Sequence, residues 1–317
     1  MSNLNQTMET LYVEGVITAK TLLHHGGDNK TGIVVPFRKT DVLVGGEVIK
    51  VPFISGNAYR GLLRRYALKG FFASLGYQIK SPHLFYILSG GALTAVDGKD
   101  SGTLNLEIRR QIRKYFMPFN IFGGALGNQL LSGKISVDMA WPICREMNEI
   151  LPLQGQLSYW DLLTEHFETR RKETEVPKDI EANMGKKGKE PTIQMKVQFE
   201  CLIPGTQLYH KFALMDMSDV EKSFFAYVME LYKSRAILGG KSATGMGQVE
   251  VNYPSLNWTS ELYLKWLDEN KPGILNLLEM LDRVKPLKAD QTPLFEKVGD
   301  KPIEPDLSDC ADGDVED

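Results

Sequence analysis

Cysteine is scarce in this chain. Its three copies, Cys144, Cys201 and Cys310, are far apart, odd in number and in no C-x-x-C spacing. That excludes a disulfide framework and argues against a cysteine zinc site. Histidine is nearly as scarce, at five residues. His24 and His25 are adjacent, and neither has metal-ligand spacing with His83, His166 or His210. Neighbouring residues of an extended segment point to opposite faces, so the pair would not easily share a metal. No apolar run approaches the roughly 18–20 residues of a membrane span. Residues 1–7 lack the basic start and apolar stretch of a secretory signal. A cytoplasmic location without a membrane partner is expected. Ser/His/Asp arrangements, paired-carboxylate motifs and zinc signatures are also missing; Glu107, Asp138 and Asp161 are ordinary acids. No enzyme chemistry, metal or cofactor is therefore expected from composition and motif alone.

What is present suits a folded domain. The 317 residues are 43% hydrophobic and 24% charged, enough apolar material for one elaborated domain or two. The net charge of −3 hides an asymmetry. Residues 304–317 hold seven acids and no Lys or Arg, which leaves 33 acidic against 37 basic residues in the rest. That end reads as a disordered acidic tail. The mildly basic body permits nucleic-acid binding without demonstrating it.

Along the chain, residues 11–21 carry β-branched residues with partial alternation and predict a strand. Gly45-Gly46 between two β-rich runs predicts a tight hairpin. Residues 57–75 predict a helix with Ser55 as N-cap. Tyr59, Leu62, Leu63, Tyr66 and Gly70 form its apolar face, and Asn57, Arg60 and Arg64 share a different strip. Residues 76–133 read as helix and loop, with a basic helix near 104–117 and a glycine-rich stretch at 122–127. Strands are predicted over 134–141, 192–202 and 207–214, the last two as a long hairpin arm. Residues 158–192 are charged and aperiodic. Helices follow at 218–233, 259–270 and 272–284, with a glycine loop at 234–245 and a strand at 246–251. The order strand, helix, strand, strand, helix, strand predicts an α+β fold of the split βαβ, ferredoxin-like kind that RNA-recognition domains also use.

Three features could carry binding chemistry. Residues 239–247 (GGKSATGMG) suggest a P-loop, but the pattern needs Gly five positions before Gly240, where Arg235 stands. The loop also lies between a helix and a strand, whereas a P-loop joins a strand to a helix. It remains either a structural turn or a phosphate-cradling loop in which Lys241 supplies charge. Asn57, Arg60 and Arg64 are either a solvated helix face, the commoner case, or a phosphate-contacting strip at a helix N-terminus. The charged stretch 166–192 is either a mobile excursion or an arm, through Arg170, Arg171 and Lys172, that clamps a strand or a second subunit. Its mixed charge argues against pure phosphate binding.

Together, three segments resemble a known superfamily. Residues 51–65 (VPFISGNAYRGLLRR) resemble the P-x-I-P-G-S-S-L-K-G-x-x-R segment of the repeat-associated mysterious proteins (RAMPs) of CRISPR systems. Residues 238–249 (LGGKSATGMGQV) resemble their G-G-x-x-x-x-G-x-G-x-V loop and strand, and residues 22–27 (LLHHGG) their G-L-H-I-G-G loop. The match spans roughly residues 11–253. Within the superfamily the chain resembles the repeated crRNA-coating backbone subunit of a Cascade-like effector, most nearly its type IV form; residues 141–145 (WPICR) add to that.

The resemblance implies a ferredoxin-like/RRM-like palm at 1–75, 121–165 and 198–253. It also implies a helical finger insertion at 76–120, a β-hairpin thumb at 166–197 and a C-terminal helical extension at 254–303. RNA contacts would come from His25, Ser55, Asn57, Arg60, Arg64, Gly239, Gly240, Lys241, Ser242 and Thr244, and from Arg170, Arg171 and Lys172 of the thumb. Implied partners are a crRNA guide, further copies of the chain in a helical filament and other effector subunits. Target DNA or RNA would be met through the guide, and a helicase would act separately. RNA-cleaving type III relatives carry a catalytic Asp in an I-D-x-P context; here the run is Ile33-Val34-Val35-Pro36, with Val34 at the Asp position. A non-catalytic subunit is expected. The alternative is metal-dependent target-RNA cleavage by Asp28 or Asp41.

Overall fold

The computed structural model describes residues 9–27, 34–80, 106–126, 129–170 and 195–283. A five-stranded antiparallel sheet organises them, built from β1 (Thr10–Ala19), β7 (Ile135–Val137), β8 (Trp141–Pro142), β11 (Gln207–Met215) and β12 (Val249–Asn252). The strands run in the order β12-β1-β11-β7, with β8 also on β11. Two helices, α1 (Gly56–Leu75) and α4 (Asp219–Lys233), connect them. The expected strand, helix, strand, strand, helix, strand sequence is thus present, and the mixed α+β class is as expected.

Alternation explains the sheet. Val13, Ile17 and Ala19 of β1 and Leu208, Phe212 and Leu214 of β11 are buried. They share one core with Leu63, Ala67 and Phe71 of α1 and with Phe224, Phe225, Val228 and Met229 of α4. Period-2 and period-3.6 apolar faces meet there, which is what makes two layers cohere. The opposite sheet face leaves Tyr12 at 55% and Met215 at 41% exposure. Helix α4 starts from a capping box: Ser218 Oγ accepts from the Glu221 N–H, and Glu221 Oε2 accepts from the Ser218 N–H at 2.7 Å. Glu221 also holds Lys134 Nζ at 2.8 Å, which ties α4 to the chain just before β7.

The predicted hairpin exists as β3 (Lys39–Val44) and β4 (Glu47–Pro52). Gly45 and Gly46 have φ of 57° and 85°, the left-handed pair a two-residue turn requires. A second sheet joins β2 (Val34–Val35), β10 (Met195–Leu202) and β9 (Leu163–Arg170) in the order β2-β10-β9. Within residues 76–133, α2 (Leu106–Tyr115) and α3 (Met117–Phe122) precede a short antiparallel pair, β5 (Gly124–Leu126) and β6 (Gln129–Leu131).

Several expectations need correction. Residues 192–202 and 207–214 do not form a hairpin arm. β10 pairs with β9 from Leu202↔Leu163 to Met195↔Arg170, while β11 pairs with β1, β7 and β8. The turn at Pro204-Gly205 passes the chain from one sheet to another, because β11 buries its alternate residues in the main core. The strand at 134–141 is interrupted: at Ala140 the backbone leaves β11 and pairs with Ile54 instead, at 2.9 and 3.0 Å. The two C-terminal helices are one, α5 (Glu261–Arg283), with Pro272 inside it. Pro272 removes an N–H and frees a carbonyl one turn back, at Asp268. Both residues are exposed, while Tyr263, Leu267, Ile274, Leu277, Leu278 and Leu281 form a buried stripe that spans the interruption. Among the described residues, no helix is long and apolar enough to cross a membrane. The expected acidic tail, residues 81–105 of the expected helical finger and residues 171–194 of the expected thumb lie outside the described residues.

Candidate nucleic-acid interface

The three motif-bearing segments converge. Residues 22–27 run beside the loop at 238–247. His24 O accepts from the Gly240 N–H at 2.8 Å, and Leu22 O accepts from the Gly247 N–H at 2.8 Å. Gly239 has φ of 80°, and a Cβ there would lie 2.3 Å from His24 O. Only glycine permits so close an approach. His25 then meets the start of α1, where its Nε2 accepts from the Ser55 N–H at 3.2 Å. Ser55 precedes α1 with extended backbone, as an N-cap should, but its hydroxyl makes no capping bond. His25 takes over one of the helix's orphan N–H groups at that end.

This convergence encloses a cavity of about 460 Å³. Its lining includes His25, Asn57, Arg60, Arg64, Gly239 and Gly240, and also Arg65. Six of the sequence-predicted residues are therefore brought to one place from three distant segments. The strip on α1 is not a plain solvated face. Arg60 and Arg64 are half-buried, and burial with the adjacent Arg60 and Arg65 charges pulls the Arg64 pKa below the ordinary guanidinium value. Arg60 Nη2 donates to Phe122 O, while its buried Nε has no hydrogen-bond partner. Clustered, partly desolvated guanidinium groups stabilise a bound anion more than fully solvated ones, since less water screens the contact.

A second cleft of about 810 Å³ continues the first, sharing Asn57, Arg60 and Arg64. Gly123, Gly124, Ser132, Gly133 and Ser136 line it. Sequence reasoning notes the glycine cluster but assigns it no role, and it misses Arg65 altogether. Their signal is present as glycine density and as an unbroken Arg64-Arg65 pair, but only the fold sets both beside the strip. Arg113 of α2 is structural: it donates to Asn120 Oδ1 at 3.0 Å and to the carbonyl of Ser132, a residue of the second cleft's lining, at 2.6 Å.

The remaining predicted residues lie apart from the cavity lining. Lys241 Nζ donates to Glu168 Oε2 at 2.9 Å and sits 4.1 Å from the Phe199 ring centroid. Thr244 Oγ1 donates to Glu168 Oε1 at 3.1 Å. Ser242 and Thr244 belong to a 3-10 turn, Ser242–Thr244, which leads into β12. The loop therefore follows helix α4 and precedes a strand, the reverse of a P-loop. The Arg170 backbone ends β9, and Arg171 and Lys172 lie outside the described residues. Val34 pairs with Gln198 on β10. Asp41 lies on the outer face of β3, 3.7 Å from Lys50 Nζ, and Asp28 lies outside the described residues. Among the described residues, no group of three or more His, Cys, Asp or Glu is arranged to hold a metal ion.

No protein-family model matches the chain, and neither does any curated protein. Among solved structures, the chain is similar to one described as "Type IV-B CRISPR Complex", at TM-score 0.56 and 22% identity, over 77% of this chain and 91% of that one. The arginine-lined groove is thus built on a fold shared with a chain of a type IV-B CRISPR complex.

Proposed function

We propose that this protein is a crRNA-binding backbone subunit of a type IV CRISPR effector, non-catalytic, assembling in copies along the guide. The observation that carries this reading is the convergence of residues 22–27, 51–65 and 238–249 around one arginine-lined groove. The strand order β12-β1-β11-β7, antiparallel throughout, supports reading the main sheet and its two helices as a ferredoxin-like palm. The fold likeness to a chain of a type IV-B complex points to the same assembly.

In this reading Arg60, Arg64 and Arg65, with the backbone of Gly239 and Gly240, hold guide phosphates and leave the bases outward. Such contacts position a strand without reading its sequence. Head-to-tail contacts between identical subunits do not close on themselves, so they extend along a linear ligand. Other effector subunits would cap the array, and target DNA or RNA would be met by pairing with the guide. A helicase would act separately, and the assembly would be cytoplasmic. Val34 supplies no acid, so the subunit holds RNA without cutting it.

The test is purification from a heterologous host with and without its guide RNA co-expressed. Light scattering and the absorbance ratio should show several copies per strand, with retained RNA of uniform length. A nucleic-acid-free monomer in both preparations would contradict the reading. Metal-dependent, regularly spaced cuts in RNA complementary to the guide, lost in Asp28→Ala or Asp41→Ala, would make the subunit a nuclease instead.

A further inference from the structure

The loop at 239–247 carries a cation that is already engaged. Lys241 Nζ donates to Glu168 Oε2 at 2.9 Å, and Thr244 Oγ1, whose one proton also reaches Lys241 O at 3.0 Å, lies 3.1 Å from Glu168 Oε1. Lys241 lies over the Phe199 ring at 4.1 Å, with its own backbone in the left-handed region at φ 64°. That conformation is strained for a non-glycine residue, so the surrounding contacts must hold it there. The side chains of Lys241 and Glu168 are only 35% and 26% exposed. An ammonium and a hydroxyl set to hold two oxygens of one anion suit a phosphodiester as well as a carboxylate, for each presents two oxygens sharing negative charge. Gly239 and Gly240, which line the arginine groove, lead directly into Lys241.

We infer that Lys241 and Thr244 form a backbone-phosphate seat for single-stranded RNA, occupied in the unliganded protein by the Glu168 carboxylate, which an entering strand displaces. This rests on the RNA-binding reading of the groove. The displacement exchanges one anion for another, so the cation never faces a dry site unpaired. It also has a mechanical consequence. Glu168 belongs to β9 and Phe199 to β10, the paired strands that lead into residues 171–194. RNA in the seat would free β9 from the 239–247 loop, coupling guide binding to the contact between that loop and the β9–β10 pair. In the sequence Glu168 shows only as a charge that dilutes a basic stretch.

The experiment is fluorescence anisotropy with a labelled oligouridylate across a salt series, on the full chain. Glu168→Gln keeps the side-chain shape and an acceptor for Thr244. It should bind severalfold more tightly, with a log K against log salt slope steeper by about 0.7, because no freed carboxylate then takes up a cation to offset the one that the seated phosphate releases. Adding Lys241→Ala to Glu168→Gln should remove both gains. Glu165→Gln takes the same charge from an exposed position on the same strand and should give neither. If Glu168→Gln matches Glu165→Gln, or if Lys241→Ala fails to reverse it, the seat is wrong. Arg60→Ala separates the two ideas. Loss of binding in Arg60→Ala with no effect of Glu168→Gln removes only this inference. An oligouridylate bound by none of the proteins removes the RNA-binding reading, and this inference with it.

Discussion

The α1 strip and the 239–247 loop are two basic features of this chain, and the fold treats them oppositely. On α1, Arg60, Arg64 and Arg65 crowd together, and burial and their mutual repulsion depress Arg64. On the loop, Lys241 is matched by Glu168, whose carboxyl is held below its usual range by Lys241 and Thr244. One region concentrates like charge, and the other is neutralised from a segment more than seventy residues away. A basic residue in a motif is thus not the same as an available charge. Availability depends on what the tertiary structure places opposite it.

The largest effect should come from the contact that locks the 239–247 loop to the 22–27 segment. Gly239→Ala forces a side chain into a left-handed position against His24 O. Conformational strain alone is about 1–3 kcal/mol, and the backbone clash adds to it. Thermal unfolding should fall well below the parent, and RNA affinity should fall with it. An unchanged melting temperature would mean the loop and the 22–27 segment are not locked together.

Next are the arginines. Arg60→Ala and Arg64→Ala should each weaken oligouridylate binding and flatten the salt slope by about 0.7. Equal affinity and slope in both variants would return the α1 strip to an ordinary helix face. Lys241→Ala in the parent background should cost much less binding than Arg60→Ala, because Glu168 already balances it. A loss equal to that of Arg60→Ala would erase the distinction between the two regions.

Acid offers a control on the core beneath both. His210 is buried, bonded to Asp138 O at 3.1 Å and Tyr253 Oη at 2.9 Å, and burial pushes its pKa from 6.5 down to about 3. Between those values the unfolded chain binds a proton that the folded chain does not. Stability should therefore fall as pH drops from 6.5 towards 3, by up to about 1.4 kcal/mol per pH unit from this group. Urea unfolding across that range checks it, and His210→Gln should flatten the dependence. The smallest effect should be on stability in Lys241→Ala: the pair is partly exposed, so under about 1 kcal/mol is expected.

Much of this is legible along the chain. The β3–β4 turn at Gly45-Gly46, the extent of α1 and its buried Tyr59, Leu63 and Gly70, and the Ser218 cap all rest on local spacing, and local spacing shows in sequence. The failures share a cause. Strands β10 and β11 look like one hairpin because both have strand composition and a turn lies between them; which edge each strand pairs with is a long-range choice. Pro272 looks like a break because proline removes a hydrogen bond, yet a buried stripe on the far side of the helix outweighs one solvent-facing carbonyl.

The site divides the same way. By itself the sequence determined which residue types can meet a polyanion: an arginine strip at helical spacing, glycines able to adopt left-handed backbone, and a lysine among them. Only the tertiary structure decided that His25, Arg60, Arg64 and Gly239 face one cavity, that Gly123 and Gly133 extend it, and that Glu168 occupies Lys241. Spacing along one element dictates which side chains share a face. The partner that a face meets depends on contacts between segments far apart in the chain, and no local pattern encodes them.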